Sequence, residues 1–170
     1  MNTLFYISAG VAVLATSMAI SRLNAVHALL YLIVSLLAVA VIFFCLGAPF
    51  VAALEVIIYA GAIMVLFVFV IMMLNLGPHA TEQERSLLTP RMWLGPSTLG
   101  LILFGEIIYV CAGGPGPLTG MAAMEPRQVA LALFGPYVLG VELASMLLLA
   151  GLVGAYHLGR RAESGEERDS

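Results

Sequence analysis

Charge is scarce in this sequence. Only 10% of its 170 residues are charged, lysine is absent, and all seven basic residues are arginines. A soluble domain carries about 25% charged residues. A chain that is 62% hydrophobic, with a mean hydropathy of +1.06, has too little polar surface to cover a core in water. Its solvent is lipid. The net charge of −3 is small, and no basic surface suggests nucleic acid. Cysteine is equally scarce. Cys45 and Cys111 lie in or at the ends of apolar runs, outside any C-x-x-C or Cys/His metal spacing, so they are expected as buried fillers. His27, His79 and His157 form no haem or metal pair on a shared helix; His27 and His157 fall near helix ends, where capping or interface placement suits them. There is no phosphate-binding loop. Nothing in the chain supplies a redox centre, a metal site or a catalytic residue.

What is present is long apolar runs. A spanning helix needs about 20 apolar residues, and five segments qualify: Leu4–Ile20, Val26–Leu46, Val51–Leu76, Met92–Ala112 and Tyr137–Leu158. Backbone polar groups in hydrocarbon must pair within their own segment, and period-two alternation is absent, so the fold is predicted as an all-α integral membrane protein. Residues 1–158 form one five-helix domain in this reading, and the tail 159–170, "RRAESGEERDS" after Gly159, has the composition of a segment with little order. Ser21–Asn24 and Gly47-Ala-Pro49 break the first runs. "GPHATEQERSLLTPR" from Gly77 is a polar loop, and "GGPGPLTG" from Gly113 a flexible one. A short interfacial helix is expected over Arg127–Phe134. The first run lacks a preceding positive charge, and Arg22 follows it, so it is expected as a retained helix and not a signal peptide.

The arginines orient the chain. With the N-terminus outside, Arg22, Arg85, Arg91, Arg160, Arg161 and Arg168 all lie on the cytoplasmic side, and only Arg127 lies outside. The C-terminus is then cytoplasmic. In that topology Glu55, Glu106 and Glu142 each sit roughly 6–9 Å from the outer end of their helix, taking about 1.5 Å per residue. Acidic groups within a span are a default sign of function, such as a proton relay. Each carboxylate can also snorkel to the headgroups or take a hydroxyl partner. For Glu106 that second reading is favoured, since nothing beside it looks specialised; for Glu55 and Glu142 the functional one is.

The third run, "ALEVIIYAGAIMVLFVFVIMMLNL" from Ala53, concentrates the unusual residues. Tyr59 follows Glu55 by one helical turn and falls on its face, where it serves either as a proton-path partner or as a polar-tipped packing residue. Gly61, between Ala60 and Ala62, permits close approach of another helix. It also weakens the helix just where a π-bulge would be useful. Ala15/Ala19, Ala150/Gly154 and Gly151/Ala155 provide further small-residue packing faces.

That run, together with "NAVHALLYLIVSLLAVAVIFF" (Asn24–Phe44) and "LFGPYVLGVELASMLLLAGLVGAYHLGR" (Leu133–Arg160), resembles the subunit J family of bacterial NADH–quinone oxidoreductase, respiratory complex I. The resemblance covers nearly the whole chain and is least distinct over Gly113–Gln128 and the tail. It implies a membrane-arm subunit of a hetero-oligomer in the bacterial inner membrane, beside subunits A, H, K and N and lipid. It implies no cofactor bound by this chain, within a complex that uses FMN, iron–sulfur clusters, NADH and quinone to pump protons. It also implies a π-bulge in the third helix around Tyr59–Phe67, with Gly61 as its weak point and Met64, Val65 and Phe67 among the residues that move. The competing readings are a homologous subunit of a membrane-bound hydrogenase or multisubunit sodium/proton antiporter, a stand-alone channel or transporter, and a purely structural membrane subunit.

Overall fold

The structure, a computed structural model, describes residues 3–74, 90–113 and 123–166. These residues are helical apart from short turns. In chain order the elements are α1 (Thr3–Ser21), α2 (Ala25–Cys45), α3 (Pro49–Leu54), a π-helical segment (Glu55–Ile63), α4 (Met64–Leu74), α5 (Pro90–Cys111), α6 (Pro126–Leu133) and α7 (Val138–Glu166). Five stretches are long and apolar enough to cross a membrane: α1, α2, the continuous run Pro49–Met73, Trp93–Cys111 and Val138–Gly159. They match the five expected runs to within a few residues at each end. The short helix expected over Arg127–Phe134 is α6. The polar loop from Gly77 lies outside the described residues up to Thr89, as does the glycine-rich loop after Gly113.

Contacts divide the chain into two units, Met1–Met124 and Glu125–Ser170. The sequence had been read as one domain over 1–158. In the first unit α1 and α2 form an antiparallel pair joined by a turn at Arg22–Asn24. Asn24 caps α2: its side-chain oxygen accepts from the N–H groups of Val26 at 3.0 Å and His27 at 3.2 Å, which otherwise have no intrahelical partner. The seam is built from small residues. Ala12 and Ala15 of α1 cluster with Val34, Ala38 and Val41 of α2, Leu103 of α5 joins them, and Ser8 on the same face of α1 is also buried. Small side chains let the helix backbones approach, which matters in lipid because no hydrophobic force favours helix over hydrocarbon contact. Polar contacts add to the seam. Ser35 Oγ donates to the Ala12 carbonyl at 3.2 Å. Its single proton is then used, so Thr16 Oγ1 is the donor in the 2.7 Å contact between the two hydroxyls. The buried small residues follow Ser8–Ala12–Ala15 more than the expected Ala15/Ala19 pair, since Ala19 is only half-buried.

The turn after α2 needs Gly47, whose φ of 79° favours glycine because no Cβ is present to clash. Pro49 then opens α3 at a position where a missing N–H costs nothing. Met124 N–H donates to the Gly47 carbonyl at 2.8 Å and ties the end of the unit to this turn. Cys45 is buried, as expected; Cys111 is exposed, a departure that follows from its place on the outer face at the end of α5.

The second unit consists of α6 and α7. Pro126 occupies the first turn of α6, and the Gln128 side chain accepts the Glu125 N–H at 3.3 Å. Helix α7 runs on to Glu166, so the polar residues 159–166 continue the helix instead of losing order. Once a long apolar helix is nucleated, each further residue adds one hydrogen bond, and this offsets an unfavourable composition. The remaining tail, 167–170, lies outside the described residues.

Candidate functional site

The third span is not a uniform α-helix. Between the α-helical ends α3 and α4, residues Glu55–Ile63 are π-helical, with each N–H reaching the carbonyl five residues back instead of four. Runs of this kind are rare and concentrate at functional sites. The register is visible where the segment ends: the Met64 N–H bonds to the carbonyls of Gly61 and Tyr59. Tyr59 is its five-back residue; Ala60 would serve in an α-helix.

Gly61 is the residue whose chemistry bears on this geometry. A Cβ placed there would lie 3.1 Å from the Val56 carbonyl oxygen, which is again five residues back. That is closer than nearly all Cβ contacts in proteins, and the obstacle is backbone held in the π pattern. A Cβ at position 61 therefore asks the Val56 carbonyl to give by a few tenths of an ångström, in a segment whose other residues all carry one. The resemblance had implied the bulge around Tyr59–Phe67. The structure places it about one turn earlier, so that Tyr59 and Gly61 lie inside it while Met64, Val65 and Phe67 begin the α-helical continuation. Val65 and Phe67 are exposed and Met64 is buried, so a change of register would carry both faces of α4 around the axis.

The acidic residues divide into three situations. Glu55 is the first residue of the π segment and is half-buried. Tyr59 is exposed, and no hydrogen bond joins it to Glu55 among the described residues. The expected i, i+4 alignment belongs to an α-helix, and the wider π turn alters it. Glu106 of α5 is buried, 7% exposed, and receives a hydrogen bond from Ser8 Oγ of α1 at 2.8 Å. This contact joins residues 98 positions apart. It also shows that the start of α1 and the end of α5 lie level. Glu142 belongs to the second unit, one turn into α7, and is exposed. Within the first unit the structure brings Glu106 to Ser8. Sequence reasoning missed Ser8; the signal was present in a hydroxyl set among small residues on the face of α1 that also carries Ala12 and Ala15.

Near the other ends of α1 and α2 a second polar group stabilises the packing. Arg22 Nη2 lies 3.4 Å from the Tyr31 hydroxyl, and the guanidinium sits 5.3 Å from the Tyr31 ring centre, within cation–π range. The Tyr31 ring lies directly over Gly95 of α5, leaving no room for a Cβ there. His27 is buried, with Nδ1 3.4 Å from the Asn24 side-chain oxygen. Among the described residues no three His, Cys, Asp or Glu side chains converge as metal ligands would.

Five apolar helices, acidic groups inside them and a π-helical third span describe a multi-pass membrane protein. The family described as NADH-ubiquinone/plastoquinone oxidoreductase chain 6 matches residues 15–158, and the chain belongs to it. It is 61% identical to the NADH-quinone oxidoreductase subunit J of Pseudomonas aeruginosa over 162 residues, covering 95% of this chain and 98% of that protein. It is 55% identical to the protein of the same name from Escherichia coli K12, over 98% of this chain and 90% of that one. The corresponding subunit of Buchnera aphidicola subsp. Schizaphis graminum is 49% identical over 94% and 98% of the two chains.

Proposed function

We propose that this chain is a membrane-arm subunit of a proton-translocating NADH:quinone oxidoreductase, respiratory complex I, in a bacterial inner membrane. Its third span acts there as a conformational element that links quinone reduction to proton movement. The observation that carries the reading is the π segment Glu55–Ile63 with Gly61 facing the Val56 carbonyl, in a chain so close to named subunit J proteins. In this reading FMN, iron–sulfur clusters, NADH and quinone belong to the assembled complex, and this chain contributes none of them. Subunits A, H, K and N are the neighbours expected from the resemblance. The apolar side chains of α4 and α7, largely exposed, provide surface for them and for lipid.

The mechanism follows from the register. In the π state one residue is inserted into the turn, so every side chain beyond it is rotated about the axis relative to a continuous α-helix. Conversion to α turns Met64, Val65 and Phe67 together and moves their bulk away from or into the space beside Glu55 and Tyr59. The polar groups at the start of the segment are then connected to, or cut off from, water or a neighbouring carboxylate. This is a two-state element: redox events elsewhere bias it only by binding one register more strongly than the other.

Glu55→Gln keeps the shape and removes the titratable group. It is expected to lower coupled NADH oxidation, with a smaller loss for Glu142→Gln, both in membranes containing normal amounts of assembled complex. Unchanged rate and proton stoichiometry in both variants would return these residues to structural roles. Co-purification of an NADH-oxidising flavin subunit separates complex I from a hydrogenase or antiporter assembly. The arginine bias favours a topology with the N-terminus outside and the C-terminus in the cytoplasm; protease cleavage after Arg160 or Arg161 in inverted but not in right-side-out vesicles is the expected result, and the opposite would reverse the topology.

A further inference from the structure

Glu106 is the most deeply buried carboxylate among the described residues, and its surroundings satisfy only half of it. Oε2 accepts the Ser8 hydroxyl, whereas Oε1 is sealed from solvent and has no hydrogen-bond partner. Among the described residues the groups near it are few: Ser8 of α1, Tyr109 of α5 along the same groove, and Cys45 of α2, near enough to interact with it electrostatically; none of these is a base or a cation. A bare oxyanion in apolar surroundings with no counter-charge is strongly disfavoured, and such a group neutralises itself instead. The same carboxyl borders an open groove between α1 and α5, lined by Thr3, Leu4, Ile7, Ile102, Gly105 and Tyr109, through which water reaches its neighbourhood.

We propose that Glu106 is a proton-holding carboxyl that exchanges its proton with water in the α1–α5 groove. Ser8 fixes the side chain by donating to Oε2 while the proton resides on Oε1. The terminal torsion of a glutamate is broad and roughly two-fold, so either oxygen can carry the proton, which exchanges where the side chain borders the space between α1 and α5. There the proton passes to water and another is taken up, with no change in the number of bonds. No residue of the third span lines this groove among the described residues, so the site stands apart from the Gly61 element and does not depend on it.

The test is infrared difference spectroscopy on the intact, purified membrane complex in H2O and D2O. Wild type is expected to show a protonated-carboxyl C=O band that is lost in Glu106→Gln, moves to higher frequency in Ser8→Ala, and shifts on transfer to D2O. Should Glu106→Gln fail to assemble, the Ser8→Ala displacement decides the assignment. Retention of every such band in Glu106→Gln would show an ionised carboxylate, as a cation from a neighbouring subunit would produce, and would overturn the proposal. A band assigned to Glu106 that ignores D2O during turnover would mark a dry, structural carboxyl and overturn it equally.

Discussion

Replacing Gly61 with valine is expected to reduce NADH-driven quinone reduction and proton pumping while the complex still assembles. Glycine is a poor residue in any helix, by about 1 kcal/mol relative to alanine. That deficit acts on both registers and cancels between them. What does not cancel is the contact between a Cβ and the Val56 carbonyl, 3.1 Å away in the π form. Overpacking of this kind costs about 1–3 kcal/mol, and each 1.4 kcal/mol is tenfold in a population. Alanine at position 61 should therefore shift the balance toward the α register by about fivefold, and valine, with two further carbons, by more. The graded order glycine, alanine, valine in turnover is the signature. A structural role in partner packing would instead be read as loss of assembled complex.

The second large effect is expected at the opposite end of the helix pair. A Cβ at Gly95 would occupy the place of the Tyr31 hydroxyl, and it would also crowd the ring carbon bearing that hydroxyl, at 3.1 Å. Tyr31 is 3% exposed and has no free direction in which to retreat. Gly95→Ala must displace it, which separates α5 from α2 and releases Arg22 from the ring. A loss of about 1–3 kcal/mol is expected for such overpacking, read as a lower temperature at which the detergent-solubilised complex loses this subunit. Tyr31→Phe in the same chain removes the hydroxyl and should recover part of the loss, since the ring carbon stays close. Full recovery would show that the hydroxyl alone was the obstacle. No recovery would mean that Gly95 acts through something other than Tyr31.

The two substitutions also show which parts of this molecule are legible in its sequence. The five spans are legible because hydrocarbon imposes a length and an apolar composition on each, and Leu4–Ile20 differs from Thr3–Ser21 by one residue at each end. Helix α6, Pro126–Leu133, was expected over Arg127–Phe134, one residue later at each end. The π register was anticipated at Gly61 from its weakness in the helix and, through resemblance, over Tyr59–Phe67, about one turn later than Glu55–Ile63. Side-chain type repeats with the helix face, whereas a five-residue hydrogen bond is a property of the backbone, and only Gly61 reports it from within. The partner of Glu106 was illegible for a different reason. Its hydrogen bond to Ser8 spans almost the whole first unit, and no spacing rule connects positions 8 and 106. The charged stretch after Gly159 misled in the other direction, because composition says nothing of the helix already formed before it.

The most direct measurement is a map of the intact complex at rest and during turnover, fine enough to assign the acceptor of the Met64 N–H. In the structure that N–H reaches Tyr59 and Gly61. A second state is expected in which the acceptor is Ala60, with Val65 and Phe67 rotated about the axis, and Gly61→Val is expected to shift the population toward that state. A third span that keeps Tyr59 as acceptor in every state of the working enzyme would contradict that expectation.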